Sequence, residues 1–229
     1  MAQHIINRIL RCWIKLRLQP IRVFCFHHVC DTFDESTMYH GDWLSIDDFK
    51  QSVYNLRNDG YSFLSLSEAH EKLTHDLFRS HKYAVLTADD GYASLKGILP
   101  WLEQQRIPVT LFINGKYLDG KSYRDNPTEQ YLNQEELFQL SSPLFEIGSH
   151  GWEHDDAVQM TQKEFVQSID SNIRLLSGHP CYIPFHAYTW GRHSATTDKI
   201  LMQMQLTPIL MDGMKNYNDE QFIHRELLQ

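Results

Sequence analysis

The most informative part of the chain is residues 84–92, which read Ala-Val-Leu-Thr-Ala-Asp-Asp-Gly-Tyr. An apolar run typical of a buried strand ends in two adjacent carboxylates, Asp89 and Asp90, and then a glycine. Because side chains alternate sides along a strand, we expect these two carboxylates to point in different directions. One can then bind a metal ion while its neighbour handles a proton, provided that other ligands converge there. We expect those ligands in residues 149–154, which read Ser-His-Gly-Trp-Glu-His.

From Ile21 onward the chain alternates strand-like and helix-like segments. The predicted strands span residues 21–27, 61–66, 82–88, 108–113, 144–148, 181–188 and 206–211. The predicted helices span residues 47–58, 67–77, 94–105, 134–140, 162–176 and 195–204. Such repeats predict a parallel sheet covered by helices. Since no GxGxxG or GxxxxGK(S/T) motif stands at a strand–helix turn, we predict an α/β fold of the distorted (β/α) barrel type, seven-stranded or similar.

The composition excludes several classes of protein. A formal net charge of −8 argues against a general nucleic-acid binder, which needs a basic face. The four cysteines form no CxxC pair, which favours a reduced, intracellular protein. No apolar run reaches transmembrane length, and charges interrupt the amino terminus too often for a signal peptide. We therefore expect a cytoplasmic protein.

Residues 1–20 form a separate predicted unit, a basic amphipathic helix. Within residues 5–18, Arg8, Arg11 and Lys15 share one face, and mainly Ile, Leu and Trp side chains form the other. Pro20 ends the helix. The helix either packs on the body of the protein or lies peripherally on the anionic inner face of a membrane.

Ionisable and aromatic residues follow several of the predicted strands. In barrels of parallel strands, the chemistry takes place on the loops at the carboxyl ends of the strands. The sequence places there Asp89 and Asp90, His150 and His154, His27 and His28, and the aromatic segment 188–191. One carboxylate and two imidazoles are a common catalytic ligand set for one divalent metal ion, Zn first, with Co, Ni and Mn as alternatives.

These motifs resemble those of the polysaccharide deacetylase family, also called carbohydrate esterase family 4 or the NodB-homology domain. The family motif T-F-D-D-G appears as residues 87–91, and the motif H-(S/T)-x-x-H as residues 150–154. The resemblance covers residues 21–229 and implies a catalytic domain that removes N-acetyl groups from a glycan. It implies the general base Asp89 and the metal ligands Asp90, His150 and His154. The resemblance also implies that the backbone amide of Trp190 holds the oxyanion, and we add Trp190, Tyr188 and His27 as candidate substrate-binding residues.

The sequence departs from the family pattern in four places. Ala88 takes the place of the family Phe in the first motif, a change in packing. Gly151 takes the place of the Ser or Thr that braces the metal loop. The third family motif, R-x-P-Y, has residues 187–191 as its nearest counterpart, without the Arg that orients the base. Residues 222–227, which include His224, fit the last family motif poorly, so His224 is not expected to be the general acid. Asp89, His27 and His28 stay as candidate proton donors to the leaving amine.

Other functions fit parts of the same sequence. Residues 150–154 also match the H-x-x-E-H pattern of zinc peptidases, but that pattern requires a helix, which Gly148 and Gly151 disfavour. The departures from the family motifs also permit a non-catalytic, glycan-binding descendant. The same metal site can in addition serve the cleavage of another amide or an ester.

Overall fold

The computed structural model of the protein describes residues 18–31, 43–76, 78–120, 130–218 and 221–228. These residues form ten strands: β1 Ile21–Phe26, β2 His28–Val29, β3 Trp43–Leu44, β4 Tyr61–Phe63, β5 Lys82–Ala88, β6 Val109–Ile113, β7 Phe145–Ser149, β8 Tyr182–Ala187, β9 Thr207–Met211 and β10 Ile223–Leu227. They also form six α-helices: α1 Ile46–Asn58, α2 Leu66–His75, α3 Leu99–Gln104, α4 Gln134–Gln139, α5 Gln162–Leu176 and α6 Ala195–Gln203. Short 3-10 helices span Ala93–Gly97, Gly115–Leu118 and Thr189–Gly191.

Seven of the strands close into a ring in which every pairing is parallel. Their order is β1-β10-β9-β8-β7-β6-β5, and β5 pairs with β1 to close the ring. β4 pairs with the first half of β5 outside the ring, and β2 pairs with β3 apart from it. The register between β7 and β8 shifts near Ile147 and Ser149, which makes the ring irregular. This architecture confirms the distorted seven-stranded (β/α) barrel.

The interior of the barrel has an apolar end and a polar end. Inward side chains toward the amino ends of the strands, among them Ile21 and Val85, pack in one cluster with Leu66 and Leu73 of α2. Outward side chains of the strands form a second core with the surrounding helices. Since α2 covers the amino end of the barrel, the carboxyl end is where inward polar residues can meet a ligand.

Glu146 of β7 fixes α2 in this position. Its carboxylate accepts hydrogen bonds from the N–H groups of Leu66 at 2.9 Å and Ser67 at 3.3 Å. The hydroxyl of Thr110 donates to the same carboxylate at 3.0 Å. These bonds satisfy amide groups that a helix leaves without partners in its first turn, and the helix dipole further stabilises a carboxylate there.

The start of α2 differs from the prediction. The sequence suggested a strand over residues 61–66 and a helix that Ser67 caps, but the helix begins at Leu66 and the strand ends at Phe63. The N-cap is Ser65, whose hydroxyl accepts from the N–H of Glu68, while the Glu68 carboxylate accepts from the N–H of Ser65. This reciprocal pair of hydrogen bonds sets the boundary two residues earlier.

Two further elements differ from the sequence-based expectation. The predicted helix 94–105 is divided into the 3-10 helix Ala93–Gly97 and α3, with Pro100 in the first turn of α3. Proline suits that position because an amide hydrogen in the first turn of a helix has no acceptor within the helix, so its absence costs no hydrogen bond. The sequence did not predict β10, which pairs with both β9 and β1 and completes the ring.

The predicted amphipathic helix of residues 5–18 lies almost entirely outside the described residues, as does most of the unit 1–20. The described chain begins at Leu18, and the N–H of Gln19 donates to the carbonyl of Arg79 at 2.7 Å. Among the described residues, no helix combines the length and the apolar character needed to cross a membrane.

Candidate active site

The residues singled out in the sequence meet in one cavity at the carboxyl end of the barrel. The cavity has a volume of about 210 Å³. Its lining includes all seven candidate site residues: His27, Asp89, Asp90, His150, His154, Tyr188 and Trp190. It also includes residues that were not proposed as site residues, among them Tyr92, Met211, Arg225 and Leu227. The loops after β1, β5, β7 and β8 therefore build one site.

The two aspartates both line this cavity, where they contact different groups: Asp89 bonds to Arg225, and Asp90 lies beside His154. Asp89 continues the inward side of β5, and its N–H donates to the carbonyl of Phe26 at 3.0 Å. At Asp90 the chain leaves the strand with φ 69°, and Gly91 follows with φ 77°. A Cβ at Gly91 would lie 2.8 Å from Cδ1 of Ile113, so this tight turn requires glycine.

The side chains of Asp90, His150 and His154 fit a divalent metal ion. Oδ1 of Asp90 lies 3.1 Å from Nε2 of His154 and 3.5 Å from Nε2 of His150. One ligand atom from each of the three residues lies within 4.8 Å of the others. Carboxylate oxygen and imidazole nitrogen at this spacing suit Zn and its borderline neighbours. The described site thus has the donor set that the sequence predicted.

His150 is held in the form that a metal ligand needs. Its Nδ1 donates to the carbonyl of Ala187 at 2.8 Å, which leaves the lone pair on Nε2, facing the aspartates. Burial lowers the pKa of His150, although the nearby carboxylates of Asp89 and Asp90 oppose this effect. The imidazole is therefore neutral at physiological pH.

Asp89 is held by Arg225, which extends inward from β10. Nη1 and Nη2 of Arg225 donate to Oδ1 and Oδ2 of Asp89 at 2.6 and 2.5 Å, and Nη1 also lies 3.2 Å from the hydroxyl of Thr87. Burial raises the pKa of Asp89, but the charge of Arg225 and its hydrogen bonds lower it, to about 2. Asp89 is therefore an ionised carboxylate with a fixed orientation.

An arginine does orient this carboxylate, although the counterpart of the third family motif in the sequence predicts none. The aromatic loop lacks an arginine, as its sequence indicates, but β10 supplies a guanidinium from the other end of the chain. In a strand over Ile223–Leu227, the inward positions are Ile223, which packs in the barrel interior, and Arg225. That alternation is the sequence signal for an inward Arg225, although it does not indicate which carboxylate the side chain meets.

The loop that carries both histidines is held from the segment after β6. Residues 114–117 donate hydrogen bonds, in order, to the carbonyls of residues 150–153. The first bond runs from Nδ2 of Asn114 to the carbonyl of His150 at 2.6 Å, and the last from the Tyr117 hydroxyl to the carbonyl of Glu153 at 2.7 Å. The two bonds between them come from the backbone N–H groups of residues 115 and 116. The hydroxyl of Ser168 accepts from the N–H of Trp152 at 2.9 Å. The support that a hydroxyl at position 151 would give thus comes from neighbouring segments.

Residues 150–160 contain no helix, although all of them are described. The two imidazoles meet because the loop turns at Gly151, with φ 80°, and at His154, with φ 60°. The H-x-x-E-H pattern of zinc peptidases places its histidines on one helix face, so this arrangement does not favour a zinc peptidase.

The aromatic loop after β8 presents Trp190 at the edge of the cavity. The Trp190 side chain is 56% exposed, and its ring centroid lies 4.9 Å from that of His154. Trp190 and Gly191 have φ 58° and 62°, and a Cβ at Gly191 would lie 2.9 Å from that of Met211. The Tyr188 hydroxyl donates to Asp198 at 2.9 Å, which fixes the start of this turn.

The remaining histidines differ in their relation to the cavity. His27 lies beside Asp89, since a ring nitrogen of His27, the sulfur of Cys25 and an oxygen of Asp89 lie within 4.8 Å of one another. His28 also lines the cavity, and its ring stacks on that of Tyr92 with centroids 3.6 Å apart. His224 is absent from the described lining, because its ring bonds to Asp212 at 2.8 Å on the opposite side of β10 from Arg225.

Comparisons with known proteins agree with this geometry. The polysaccharide deacetylase family model matches residues 78–209. The putative polysaccharide deacetylase YxkH of Bacillus subtilis is 27% identical over 134 residues, which are 56% of this chain and 45% of the relative, so the match spans about half of that relative's length. IcaB from Ammonifex degensii has 22% identity and a TM-score of 0.75 over 92% of each chain. The Streptococcus pyogenes deacetylase PplD has 18% identity and a TM-score of 0.78 over 92% of this chain and 93% of its own. The structural matches show the shared fold, and the family match confirms that this chain belongs to the polysaccharide deacetylase family.

Proposed function

We propose that this protein is a metal-dependent hydrolase that removes N-acetyl groups from a sugar of a polysaccharide or glycan precursor. The observation that carries the proposal is the pairing of a metal-ligand set, Asp90, His150 and His154, with a separate ionised carboxylate in the same cavity. The chain's membership of the polysaccharide deacetylase family supports the class of reaction. A peptidase would leave Asp89 without a role, and the loop geometry does not favour one.

The metal ion would be held by Asp90, His150 and His154, with zinc as the first candidate and cobalt, nickel or manganese as alternatives. An ion bound there polarises an amide carbonyl and lowers the pKa of water. All three of these side chains line the cavity, so an ion held there would be accessible to a substrate.

Asp89 acts as the general base in this proposal. Arg225 holds both of its oxygens, so the carboxylate does not rotate away from the cavity. It takes the proton of the water that attacks the acetamide carbonyl. The backbone N–H of Trp190 donates a hydrogen bond to the oxyanion that forms.

His27 is the proposed proton donor to the leaving amine. It lines the cavity directly after β1, the strand that pairs with β5, and one of its ring nitrogens lies within 4.8 Å of a carboxylate oxygen of Asp89. His28 is oriented toward Tyr92, and the hydroxyl of Ser94 lies 3.3 Å from its Nδ1. Trp190 then offers the exposed aromatic surface on which a sugar ring can pack, while the buried Tyr188 holds the turn that carries it.

The test combines elemental analysis of the purified protein with acetate release from a panel of N-acetylated oligosaccharides. Asp90→Ala and His154→Ala should each lose both bound metal and acetate release. His75→Ala, at an exposed position of α2 away from the cavity, is the matched control and should keep both. Unchanged metal content in either site variant would disprove the ligand assignment. Bound metal without acetate release from any substrate in the wild type would point to a glycan-binding protein.

A further inference from the structure

His154 has a backbone conformation that needs support from its surroundings. Its φ is 60°, in the left-handed region that residues other than glycine seldom adopt. That conformation is strained for a residue with a Cβ, because the Cβ comes too close to the carbonyl oxygen. Without contacts that hold the adjacent peptide groups, the backbone would relax and carry the imidazole away from Asp90.

Two side-chain hydroxyls bind backbone carbonyls on either side of His154, one in the peptide group directly before it and one in the second peptide group after it. The Tyr117 hydroxyl donates to the carbonyl of Glu153 at 2.7 Å, and the Thr189 hydroxyl donates to the carbonyl of Asp155. We propose that Tyr117 and Thr189 position His154 for metal binding and thereby set the metal affinity of the site. This inference rests on the proposed function, because it requires that His154 is a metal ligand.

Tyr117 can position a backbone atom because its own ring is fixed. The ring is 5% exposed, and its centroid lies 4.6 Å from that of Tyr131. Tyr131 stacks on Tyr92 at 5.0 Å, and Tyr92 stacks on His28. This row of rings extends from the loop after β1 to the metal loop, so the Tyr117 hydroxyl has little freedom to move.

Thr189 approaches His154 from the opposite side. It is 4% exposed and lies in the turn that also carries Trp190, whose ring contacts the ring of His154. The bond from Tyr188 to Asp198 anchors the same turn to α6. His154 is therefore held between the loop after β6 and the loop after β8, while Gly151 offers no side chain of its own.

A third contact to this loop is a poor candidate for the same role. Nζ of Lys116 lies 2.6 Å from the carboxylate of Glu153, but both side chains are more than one third exposed. Exposed ion pairs contribute little to stability because water screens them. The variant Lys116→Met therefore serves as a control in the same segment.

The test measures the dissociation constant of Zn²⁺ by competition with a chelating dye, on full-length wild type and variants. Tyr117→Phe and Thr189→Val each remove one hydroxyl and should weaken Zn²⁺ binding about 10- to 100-fold, as loss of a group that orients a ligand does. Thr189→Ser keeps a hydroxyl and should bind Zn²⁺ like the wild type. Two control variants should also bind Zn²⁺ like the wild type: Lys116→Met, and Tyr182→Phe at the amino end of β8.

Two additional measurements separate positioning from a general loss of structure. The visible spectrum of the Co²⁺-loaded protein should change in Tyr117→Phe, while the thermal unfolding midpoint of the metal-free protein stays within about 4 °C of the wild type. With Zn²⁺ in excess, KM for an N-acetylated oligosaccharide should be unchanged. If the wild type binds no metal, the proposed function fails. If the wild type binds Zn²⁺ and both hydroxyl variants bind it equally well, the positioning inference fails and the proposed function stands.

Discussion

Replacing Arg225 with methionine should expose how strongly the barrel depends on one buried ion pair. The side chains of Arg225 and Asp89 are 1% and 4% exposed. The guanidinium makes two hydrogen bonds to the carboxylate, and bonds to charged groups contribute about 1.5–3 kcal/mol each. Removing one partner of a buried pair costs about 3–5 kcal/mol because the other charge is left without compensation. We expect Arg225→Met to lower the free energy of unfolding of the metal-free protein by about 3–5 kcal/mol at pH 7.

The decrease in unfolding free energy that Arg225→Met causes should become smaller as the pH falls. The folded-state pKa of Asp89 is about 2, below its ordinary value of 3.8. Because the folded-state pKa is the lower one, the carboxylate contributes stability that is complete above about pH 4 and disappears as the pH falls through the folded-state pKa. Without Arg225, burial raises the pKa of Asp89, so protonation relieves the buried charge. The difference in unfolding free energy between wild type and variant should therefore be smaller at pH 3 than at pH 7.

Urea unfolding with a chelator present measures these free energies, and a double-mutant cycle with Asp89→Asn isolates the pair. The double variant should recover most of the loss, since it removes both charges. The matched control is the pair Arg174 and Asp170 on the surface of α5, with 2.9 Å between nitrogen and oxygen and 78% and 46% of the side chains exposed. Its coupling should be about 0.3–0.5 kcal/mol. A coupling between Arg225 and Asp89 no larger than that of the control would refute the reasoning.

Three other substitutions test separate parts of the structure. Gly91→Ala should destabilise the protein by about 1–3 kcal/mol, because φ is 77° and the new Cβ would lie 2.8 Å from Ile113; an unchanged thermal unfolding midpoint would contradict this. Glu146→Gln should lower the free energy of unfolding, measured in urea, by about 1–3 kcal/mol, because an NH2 donor then replaces one of the two acceptor oxygens at the start of α2. Glu103→Gln, on the exposed side of α3, is its control, and an equal effect of both would argue against the role of Glu146. His224→Gln should leave kcat for acetate release unchanged, and a loss of turnover with the metal retained would show that the residue takes part after all.

The barrel and most of its site could be predicted because they depend on local patterns. Strands and helices alternate with recognisable spacing, and parallel strands bring their carboxyl ends to one edge. That geometry alone places Asp89, Asp90, His150 and His154 near one another. The direction of the Asp90 side chain could not be predicted in the same way, because it depends on a left-handed turn that packs against Ile113.

Arg225 and the support of the metal loop escaped prediction for a different physical reason. Arg225 reaches Asp89 only because β10 pairs with β1 in one particular register, and no local pattern specifies a register between distant segments. The support of the metal loop relies partly on backbone N–H groups of residues 115 and 116, which every sequence offers. Such contacts become visible only when the segments have been placed in space.

The pairing of β1 with β10 joins segments that lie far apart in the chain. Across it, Arg22 bonds to Glu226, a residue 204 positions later in the chain. Contacts between such distant segments form slowly, since the chain must first lose much of its freedom. A refolding molecule in which β1 and β10 have not yet paired can already hold the carboxylates and imidazoles of the central strands, yet it lacks the guanidinium that fixes Asp89. Catalytic turnover would then be the last native property to return, and its recovery would time the closing of the ring.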